Sequence, residues 1–277
     1  MPQRDPERYT QGDDGLIVEK VGRWAIKKLK LLADYVYASG GARKKYLGTG
    51  AGYIDPFCGP GRSLVRDTTT FIDGSPVAAC RRALQSSARF TSINISDADE
   101  EVLSAASQRL ITLSAPVHSF PGPASSSISK IVKSLDPYGL HLAFLDPYNL
   151  ETLSFRLFEE LAQLKKIDVI AHVSVSDLQR NADLYADEDF EQFDKFAPGW
   201  RTKVRTDVSK QAFRTAILRY WSDKVSTLGL PQARHCELIR GDQGQRLYWL
   251  ILLSRHELAH TLWDKISSAA KSPTFDF

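Results

Sequence analysis

The sequence has little of what marks a secreted, membrane-spanning or metal-stapled protein. Only three of its 277 residues are cysteine, and none of them forms a Cys-x-x-Cys pair. Three cysteines cannot close a complete set of disulfides, and their spacing argues against a structural zinc site. No apolar run approaches the roughly 20 residues that span a bilayer, and the first residues lack the apolar core of a secretory signal. These absences predict a cytoplasmic protein without a membrane partner.

The sequence also lacks a large net charge. It contains 36 basic and 33 acidic side chains, a formal net charge of +3, so the chain as a whole does not indicate a nucleic-acid partner. With 43% apolar and 25% charged residues, the composition is that of an ordinary globular protein. One large domain is expected, with or without an appendage.

Basic residues are nevertheless concentrated near the amino terminus, where positions 20–45 hold eight of them against one acid. Apolar residues recur there every three or four positions, at Val21, Ala25, Leu29, Leu32 and Val36. This periodicity predicts an amphipathic helix. Its basic face would hold Lys20, Arg23, Lys27 and Lys30, either as a solvated surface or as a surface that contacts phosphates.

From residue 51 onwards, short apolar runs alternate with helical patterns. Strands are predicted at 53–55, 91–96, 116–120, 141–145 and 167–175, and helices at 76–87, 99–113, 125–135 and 153–165. A helix over 210–227 and a hairpin made of 236–240 and 247–253 follow. This order resembles the class I S-adenosylmethionine-dependent methyltransferase fold. The predicted fold class is therefore α/β, with a seven-stranded Rossmann-like sheet, helices on both faces and an antiparallel terminal hairpin.

The chain divides into a tail with the basic helix, residues 1–50, and a methyltransferase-like domain, residues 51–277. An insertion is predicted at about 177–208, after the fifth strand of the sheet. Acidic residues outnumber basic residues in its first part. Ligands of open α/β sheets bind at the carboxyl ends of the strands, so the insertion is either a lid or a solvated excursion.

The sharpest local motif is the run from Tyr53 to Arg62, in which an acid ends the first strand and two glycines follow. It matches neither a phosphate-binding Gly-Lys-Ser/Thr loop nor the dinucleotide G-x-G-x-x-G pattern. The motif looks like the methyltransferase cofactor loop, and it predicts contacts to S-adenosylmethionine from Asp55, Phe57, Gly59, Pro60 and Gly61. A plain tight turn is the alternative.

A second motif follows the second strand, at Asp97. A carboxylate at this position can accept hydrogen bonds from both ribose hydroxyls of a nucleoside cofactor. Asp99, Glu100 and Glu101 come next and favour a helix amino terminus. The two roles are compatible, because different acids carry them.

The third motif is Asp146-Pro147-Tyr148-Asn149, at the end of the fourth strand. Enzymes that methylate exocyclic amino groups often carry an Asp/Asn-Pro-Pro-aromatic tetrad here, whose acceptors bind the amine while the ring stacks on a flipped base. One proline is missing, so the match is incomplete. Asp146, Pro147 and Tyr148 are the predicted catalytic residues, and an ordinary Asp-Pro turn is the alternative.

These motifs together resemble the three-Cys-motif partner proteins, a bacterial family, over about residues 17 to 267. The similarity includes residues 20–35, 53–61, 73–76, 145–148, 176–181 and 252–256, and Trp263. The resemblance implies a methyltransferase-like fold and a protein partner that is similar to radical S-adenosylmethionine enzymes. Arg180, in the 176–181 segment, joins the basic helix as a predicted substrate-binding residue.

Two departures from methyltransferase patterns matter. Cys58 stands where such loops often carry a small residue, and it is predicted to be a buried space-filler. Many methyltransferases place an acid after the third strand to bind the adenine amino group, but residues 120–125 contain none. Backbone groups or Ser125 would have to bind adenine, or cofactor binding would be weakened or lost.

A different chemistry is suggested by His256-Glu257-x-x-His260, which satisfies the H-E-x-x-H pattern of zinc peptidases. Zinc needs a third ligand, and Asp264 and Asp276 are the acids that follow. A helix that packs its apolar side on the core explains the same residues.

Three functions therefore stand after the sequence analysis. The first is an S-adenosylmethionine-dependent methyltransferase that acts on an amino group of a nucleic-acid base, with DNA and RNA both open as substrates. The second is a catalytically degenerate subunit that works with a radical S-adenosylmethionine-like partner. The third, a zinc peptidase, is remote, and no metal ligand is assigned.

Overall fold

The computed structural model describes residues 7–186 and 191–268. Its strands are β1 (Tyr9–Gln11), β2 (Ile17–Val21), β3 (Ala51–Asp55), β4 (Arg62–Val65), β5 (Phe71–Asp73), β6 (Ser92–Ile95), β7 (Val117–Ser119), β8 (Leu140–Leu145), β9 (Lys166–Ser174), β10 (Glu237–Arg240) and β11 (Arg246–Ser254). Its helices are α1 (Trp24–Ala38), α2 (Gly40–Lys44), α3 (Ser75–Leu84), α4 (Glu100–Thr112), α5 (Ala124–Lys133), α6 (Phe155–Leu161), α7 (Val175–Ala186), α8 (Lys210–Thr227) and α9 (Glu257–Ser268).

The main sheet contains seven strands in the order β10-β11-β9-β8-β3-β6-β7. The five adjacent strands β9-β8-β3-β6-β7 are parallel to one another, whereas β11 is antiparallel to both of its neighbours. This order and this single reversed strand confirm the predicted Rossmann-like methyltransferase sheet and its terminal hairpin. The predicted strands and helices from residue 51 onwards agree with the observed elements to within a few residues at their ends.

Strands β3, β8, β9 and β11 are buried on both faces, which explains why they are mostly apolar. On β9, successive side chains point to opposite faces of the sheet, so the adjacent residues Val169 and Ile170 belong to two different apolar clusters. Helices α5, α6, α7 and α8 contribute side chains to one cluster, and α1, α3, α4 and α9 contribute to the other.

The amino-terminal region differs from the prediction of one continuous basic helix. Helix α1 begins at Trp24, so Arg23 is its N-cap residue and Lys20 lies in strand β2. The segment becomes a strand because Glu19, Lys20 and Val21 pair in parallel with β4, which lies more than forty residues away in the chain. Helical periodicity is a local signal and cannot report such a partner.

A second, four-stranded sheet in the order β1-β2-β4-β5 was not predicted. The β4–β5 hairpin of this sheet is inserted between α3 and the turn that contains Gly59 and Gly61 (the glycine turn). Strands β1 and β2 form the amino-terminal hairpin. The buried guanidinium of Arg109, on α4, donates to both carboxylate oxygens of Asp14 at 2.7 Å. It also donates to the Ile17 carbonyl at 2.9 Å and to the Pro60 carbonyl. Arg109 therefore joins the hairpin directly to the glycine turn.

The predicted insertion at 177–208 contains most of α7 and packs against the core where it is described. Phe193, Phe196 and Trp200 are fully buried, and Phe196 stacks on Trp221 of α8 with ring centroids 5.3 Å apart. Its acids at 187–190 lie outside the described residues. Within the described ranges, every helix is either too short or too polar to be a membrane span.

Gly61 lies where the turn after β3 packs tightly against neighbouring helices. Its φ is +78°, and an added Cβ would lie 3.1 Å from Val77 Cγ2 and 3.2 Å from Ala106 Cα. We expect Gly61→Ala to destabilise the protein by about 2 to 5 kcal/mol, from left-handed backbone strain plus overpacking. Gly244 has a φ of +77° but open space around it, so Gly244→Ala should cost only the backbone part, about 1 to 2 kcal/mol. Equal losses in urea unfolding would contradict the packing argument.

Candidate active site

Acidic side chains follow three neighbouring parallel strands at their carboxyl ends. Asp55 ends β3, Asp97 comes two residues after β6, and Asp146 comes directly after β8. Because β3 pairs with both β6 and β8, the three acids lie along one edge of the sheet. Ligands of open α/β sheets bind at this edge.

The turn after β3 has the conformation that its glycines allow. Gly59 and Gly61 have φ values of +55° and +78°, which residues other than glycine rarely adopt. Asp97 supports the turn, because its carboxylate accepts from the Gly59 amide at 3.2 Å and from the Asp99 amide at 3.0 Å. Asp99 caps α4 by accepting from the Glu101 amide at 2.9 Å, so the two acids have separate structural roles.

Asp55 is completely buried at the start of this turn. It accepts hydrogen bonds from the Tyr53 hydroxyl at 3.0 Å and from the Phe57 amide at 3.3 Å. Burial raises the pKa of Asp55 to about 7, even though these donors and Ser75 favour the anion. Cys58 is also buried, and burial raises the pKa of its thiol, which agrees with the predicted space-filling role.

Asp146 is held by two basic side chains. One oxygen forms an ion pair with the ammonium of Lys28, on α1, and the other lies 2.8 Å from Nδ1 of His172, on β9. Only 18% of the Asp146 side chain and 13% of each partner side chain is exposed. Burial alone would raise the pKa of Asp146, but Lys28 and His172 outweigh it and hold the pKa well below its usual range.

His172 and Tyr248 extend this cluster and were not singled out from the sequence. Their ring centroids are 3.7 Å apart. Nε2 of His172 and the Tyr248 hydroxyl are both buried, and neither has a hydrogen-bond partner within the described ranges. The sequence signal that could have indicated His172 is a histidine inside the apolar run of β9. His172 lies on the same side of the sheet as Asp168 and Ile170. Burial lowers the pKa of His172, although Asp146 opposes the shift.

The other two predicted catalytic residues differ in exposure. Pro147 is buried, whereas Tyr148 is 81% exposed. The guanidinium carbon of Arg8 lies 5.4 Å from the Tyr148 ring centroid, and Arg8 pairs with Glu19 at 2.9 Å. A Cβ on Gly59 would lie 3.8 Å from Glu19 Oε2, so the amino-terminal hairpin extends over the glycine turn.

The predicted basic stripe is wrong in its geometry. Lys27 forms an ion pair with the completely buried Glu237, and Lys30 pairs with Asp34 one helical turn away. Lys20 belongs to a strand, and Arg23 is exposed at the start of α1. Arg180 is exposed on α7. These residues do not share one helix face, and their contact with nucleic acid stays a prediction.

Among the described residues, those of the His256-Glu257-x-x-His260 pattern do not form a metal site. Nε2 of His260 lies 2.7 Å from the Ser254 carbonyl oxygen, and Glu257 is exposed. In the described part of the chain, no group of three or more His, Cys, Asp or Glu side chains could hold a metal ion.

The order of the strands defines the class I methyltransferase-like fold. Solved structures are similar to the chain at low sequence identity. Protein LPL1258 from Legionella pneumophila is 10% identical, with a TM-score of 0.50, over 84% of this chain and 90% of its own. M. jannaschii TYW2 in complex with AdoMet is 8% identical, with a TM-score of 0.45, over 91% and 87%. The METTL16 MTase domain is 11% identical, with a TM-score of 0.45, over 90% and 71%.

At these identities the likeness concerns the fold alone. No protein-family model and no curated protein matches the chain. The resemblance to the three-Cys-motif partner proteins is therefore not confirmed. The strand order establishes the class of fold.

Asp55 should make stability depend on pH. An unfolded Asp loses its proton near 3.8, whereas buried Asp55 keeps it to about pH 7, so the folded state binds more protons between these values. The contribution of Asp55 to stability is complete below pH 4, falls as pH rises to 7 and is constant above. We expect Asp55→Asn to remove this fall, about 2 to 4 kcal/mol, in urea unfolding measured from pH 4 to 8.

The exposed Asp207, which pairs with Arg205 at 2.7 Å, provides the control. Because its pKa is lowered from 3.8, Asp207→Asn should leave the pH dependence between 4 and 7 unchanged. An Asp55→Asn protein with the same pH dependence as the wild type would show that Asp55 is ionised in the folded state.

Proposed function

We propose that this chain is an S-adenosylmethionine-dependent methyltransferase that acts on an amino group of a nucleic-acid base. The observation that carries the proposal is the shared sheet edge, where the glycine turn and Asp97 lie beside the Asp146-Pro147-Tyr148 loop. The first pair is suited to a nucleoside cofactor, and the loop is suited to an amine and a flat ring.

The residues at this edge fit the cofactor. Gly59 leaves room for close backbone approach, because an added Cβ would meet only Glu19 Oε2, at 3.8 Å, and Asp97 retains carboxylate lone pairs for ribose hydroxyls. Arg8 and Glu19 supply a cation and an anion beside Gly59, which complement the carboxylate and ammonium of an amino acid. The bound cofactor would supply an electrophilic methyl group on its sulfonium.

Adenine would be bound by backbone rather than by an acid. Helix α5 begins at Ala124, and its N-cap residue, Pro123, provides no side-chain cap. The amides of Ser126 and Ser127 already donate to the Pro123 carbonyl. The amides of Ala124 and Ser125 are therefore the groups suited to donate to the acceptor nitrogens of the adenine ring.

The acceptor side of the site fits a planar base with an amino group. The exposed ring of Tyr148 offers a stacking surface. Asp146 and the Pro147 carbonyl are the candidate acceptors for the amine. Exposed Arg23 and Arg180 are proposed to contact the nucleic-acid backbone further from the site.

A partner-subunit function is the second candidate. Both oxygens of Asp146 already have basic partners, and residues 120–125 provide no acid for adenine. The resemblance to the three-Cys-motif partner proteins would then extend to their radical S-adenosylmethionine-like partner.

Cofactor binding separates these functions at the first step. Replacing Asp97 by Ala removes charge-assisted hydrogen bonds worth about 1.5 to 3 kcal/mol, so we expect a tenfold to hundredfold loss of S-adenosylmethionine affinity by calorimetry. Asp97→Asn is the matched control, because it keeps an acceptor for the Gly59 amide. Wild-type protein that does not bind the cofactor at millimolar concentration would contradict the enzymatic proposal.

Methyl transfer tests the acceptor. Wild-type protein, tritiated S-adenosylmethionine and RNA or DNA synthesised without modifications should give labelled nucleic acid. Tyr148→Ala should reduce the rate by about 5- to 150-fold, because one base-aromatic stack is worth about 1 to 3 kcal/mol. The residue is exposed, so stability and cofactor affinity should not change.

Tyr148→Phe keeps the ring and should retain most of the rate. If the cofactor binds but neither nucleic acid is labelled, the methyltransferase proposal is wrong for these substrates and the partner-subunit function gains support.

A further inference from the structure

Two polar atoms beside Asp146 have no structural explanation. Nε2 of His172 and the hydroxyl of Tyr248 are buried without a hydrogen-bond partner among residues 7–186 and 191–268. Buried polar groups in folded proteins nearly always have partners. The two rings are in contact, with centroids 3.7 Å apart, so the two side chains that carry the unpaired atoms are neighbours.

The partners of Asp146 determine the state of the imidazole. Asp146 is an anion because Lys28 forms an ion pair with it, so it can only accept a hydrogen bond. Nδ1 of His172, 2.8 Å away, must therefore carry the hydrogen. In the neutral ring, Nε2 then holds a free lone pair. A carboxylate that orients a histidine in this way is the arrangement that makes the opposite nitrogen a general base.

The surroundings of His172 favour the neutral ring. Lys28 from α1 opposes a second positive charge, and burial does so more strongly, whereas Asp146 beyond β8 and Asp177 from α7 favour it. Tyr248 from β11 is also a neighbour, and burial raises the pKa of its hydroxyl, which stays protonated. The net result is a lowered pKa for His172. Asp146 is unsuited to the same task, because Lys28 stabilises its anion.

We propose that Nε2 of His172 accepts the proton released during methyl transfer, and that Asp146, in addition to its proposed contact with the amine, orients the ring. This inference rests on the proposed function and deepens it. The acceptor nitrogen forms a bond to the methyl carbon as the carbon–sulfur bond breaks. The N–H electron pair stays on the acceptor nitrogen, its proton passes to Nε2, and S-adenosylhomocysteine leaves.

Access to Nε2 needs a movement, since the atom is closed to solvent. A substrate atom reaches it only when a neighbouring side chain turns away. The Tyr248 ring packs on the imidazole, and the Tyr248 hydroxyl is closed to solvent as well, so the same movement has to expose both atoms.

Substitutions at His172 can separate proton transfer from positioning. The amide nitrogen of Asn lies where Nδ1 lies in His, so His172→Asn keeps a donor to Asp146 and removes Nε2. We expect its kcat for methylation of the nucleic acid labelled by the wild type to fall at least a hundredfold, with cofactor affinity within about twofold. His172→Leu, which removes both nitrogens, should be no more active. A His172→Asn enzyme within about threefold of wild type would reduce His172 to a positioning role and overturn the proposal.

The pH profile provides a second readout. Wild-type kcat should fall on the acid side with a midpoint below 6.5, as His172 becomes protonated, and this limb should be absent from His172→Asn. An acid limb that persists in the variant belongs to another group and overturns the proposal.

Nitrogen-15 spectra of histidine-labelled protein test the tautomer without any turnover. The ring signals of His172 are identified by their loss in His172→Asn. At pH 7.5 we expect a neutral ring with the hydrogen on Nδ1, and a hydrogen on Nε2 would overturn the proposal. If the spectra show the expected tautomer but no methyl group is transferred, the proposed function fails and the base role falls with it. If transfer occurs and the tautomer is reversed, only the inference fails.

Discussion

The buried ion pair between Lys28 and Asp146 is the interaction on which the site depends. It joins α1 to the carboxyl end of β8, across 118 residues of sequence. Two further polar contacts from the same helix, Lys27 with Glu237 and Tyr35 with Asp168, attach it to the sheet. A buried carboxylate that loses its partner is strongly destabilising, by about 3 to 5 kcal/mol. The pair therefore holds the helix, the strand end and the adjacent imidazole in one arrangement.

The second constraint is the amino-terminal hairpin, which lies beside both Gly59 and Tyr148. Arg109 links it to the Pro60 carbonyl, while Arg8 and Glu19 lie over Gly59 and near Tyr148. This hairpin therefore contacts both the glycine turn and the Asp146-Pro147-Tyr148 loop.

The fold alone does not specify this chemistry. LPL1258 shares the architecture at 10% identity, because the layered sheet requires apolar strands and helix faces rather than particular side chains. The residues at the strand ends decide what is bound and transferred. In this chain they include a histidine and a tyrosine with unpaired polar atoms, beside a carboxylate that an ammonium neutralises.

The sequence by itself determined the seven strands of the main sheet, helices α3, α4, α5, α6 and α8, the glycine turn and the placement of the three acids after their strands. These follow from periodicity and turn chemistry, which are properties of neighbouring residues. Only the tertiary structure decided that Lys20 lies in a strand, that β4 and β5 complete a second sheet, and that Lys28, His172 and Tyr248 surround Asp146. Those outcomes depend on partners distant in sequence, and no local pattern records which distant side chains will meet.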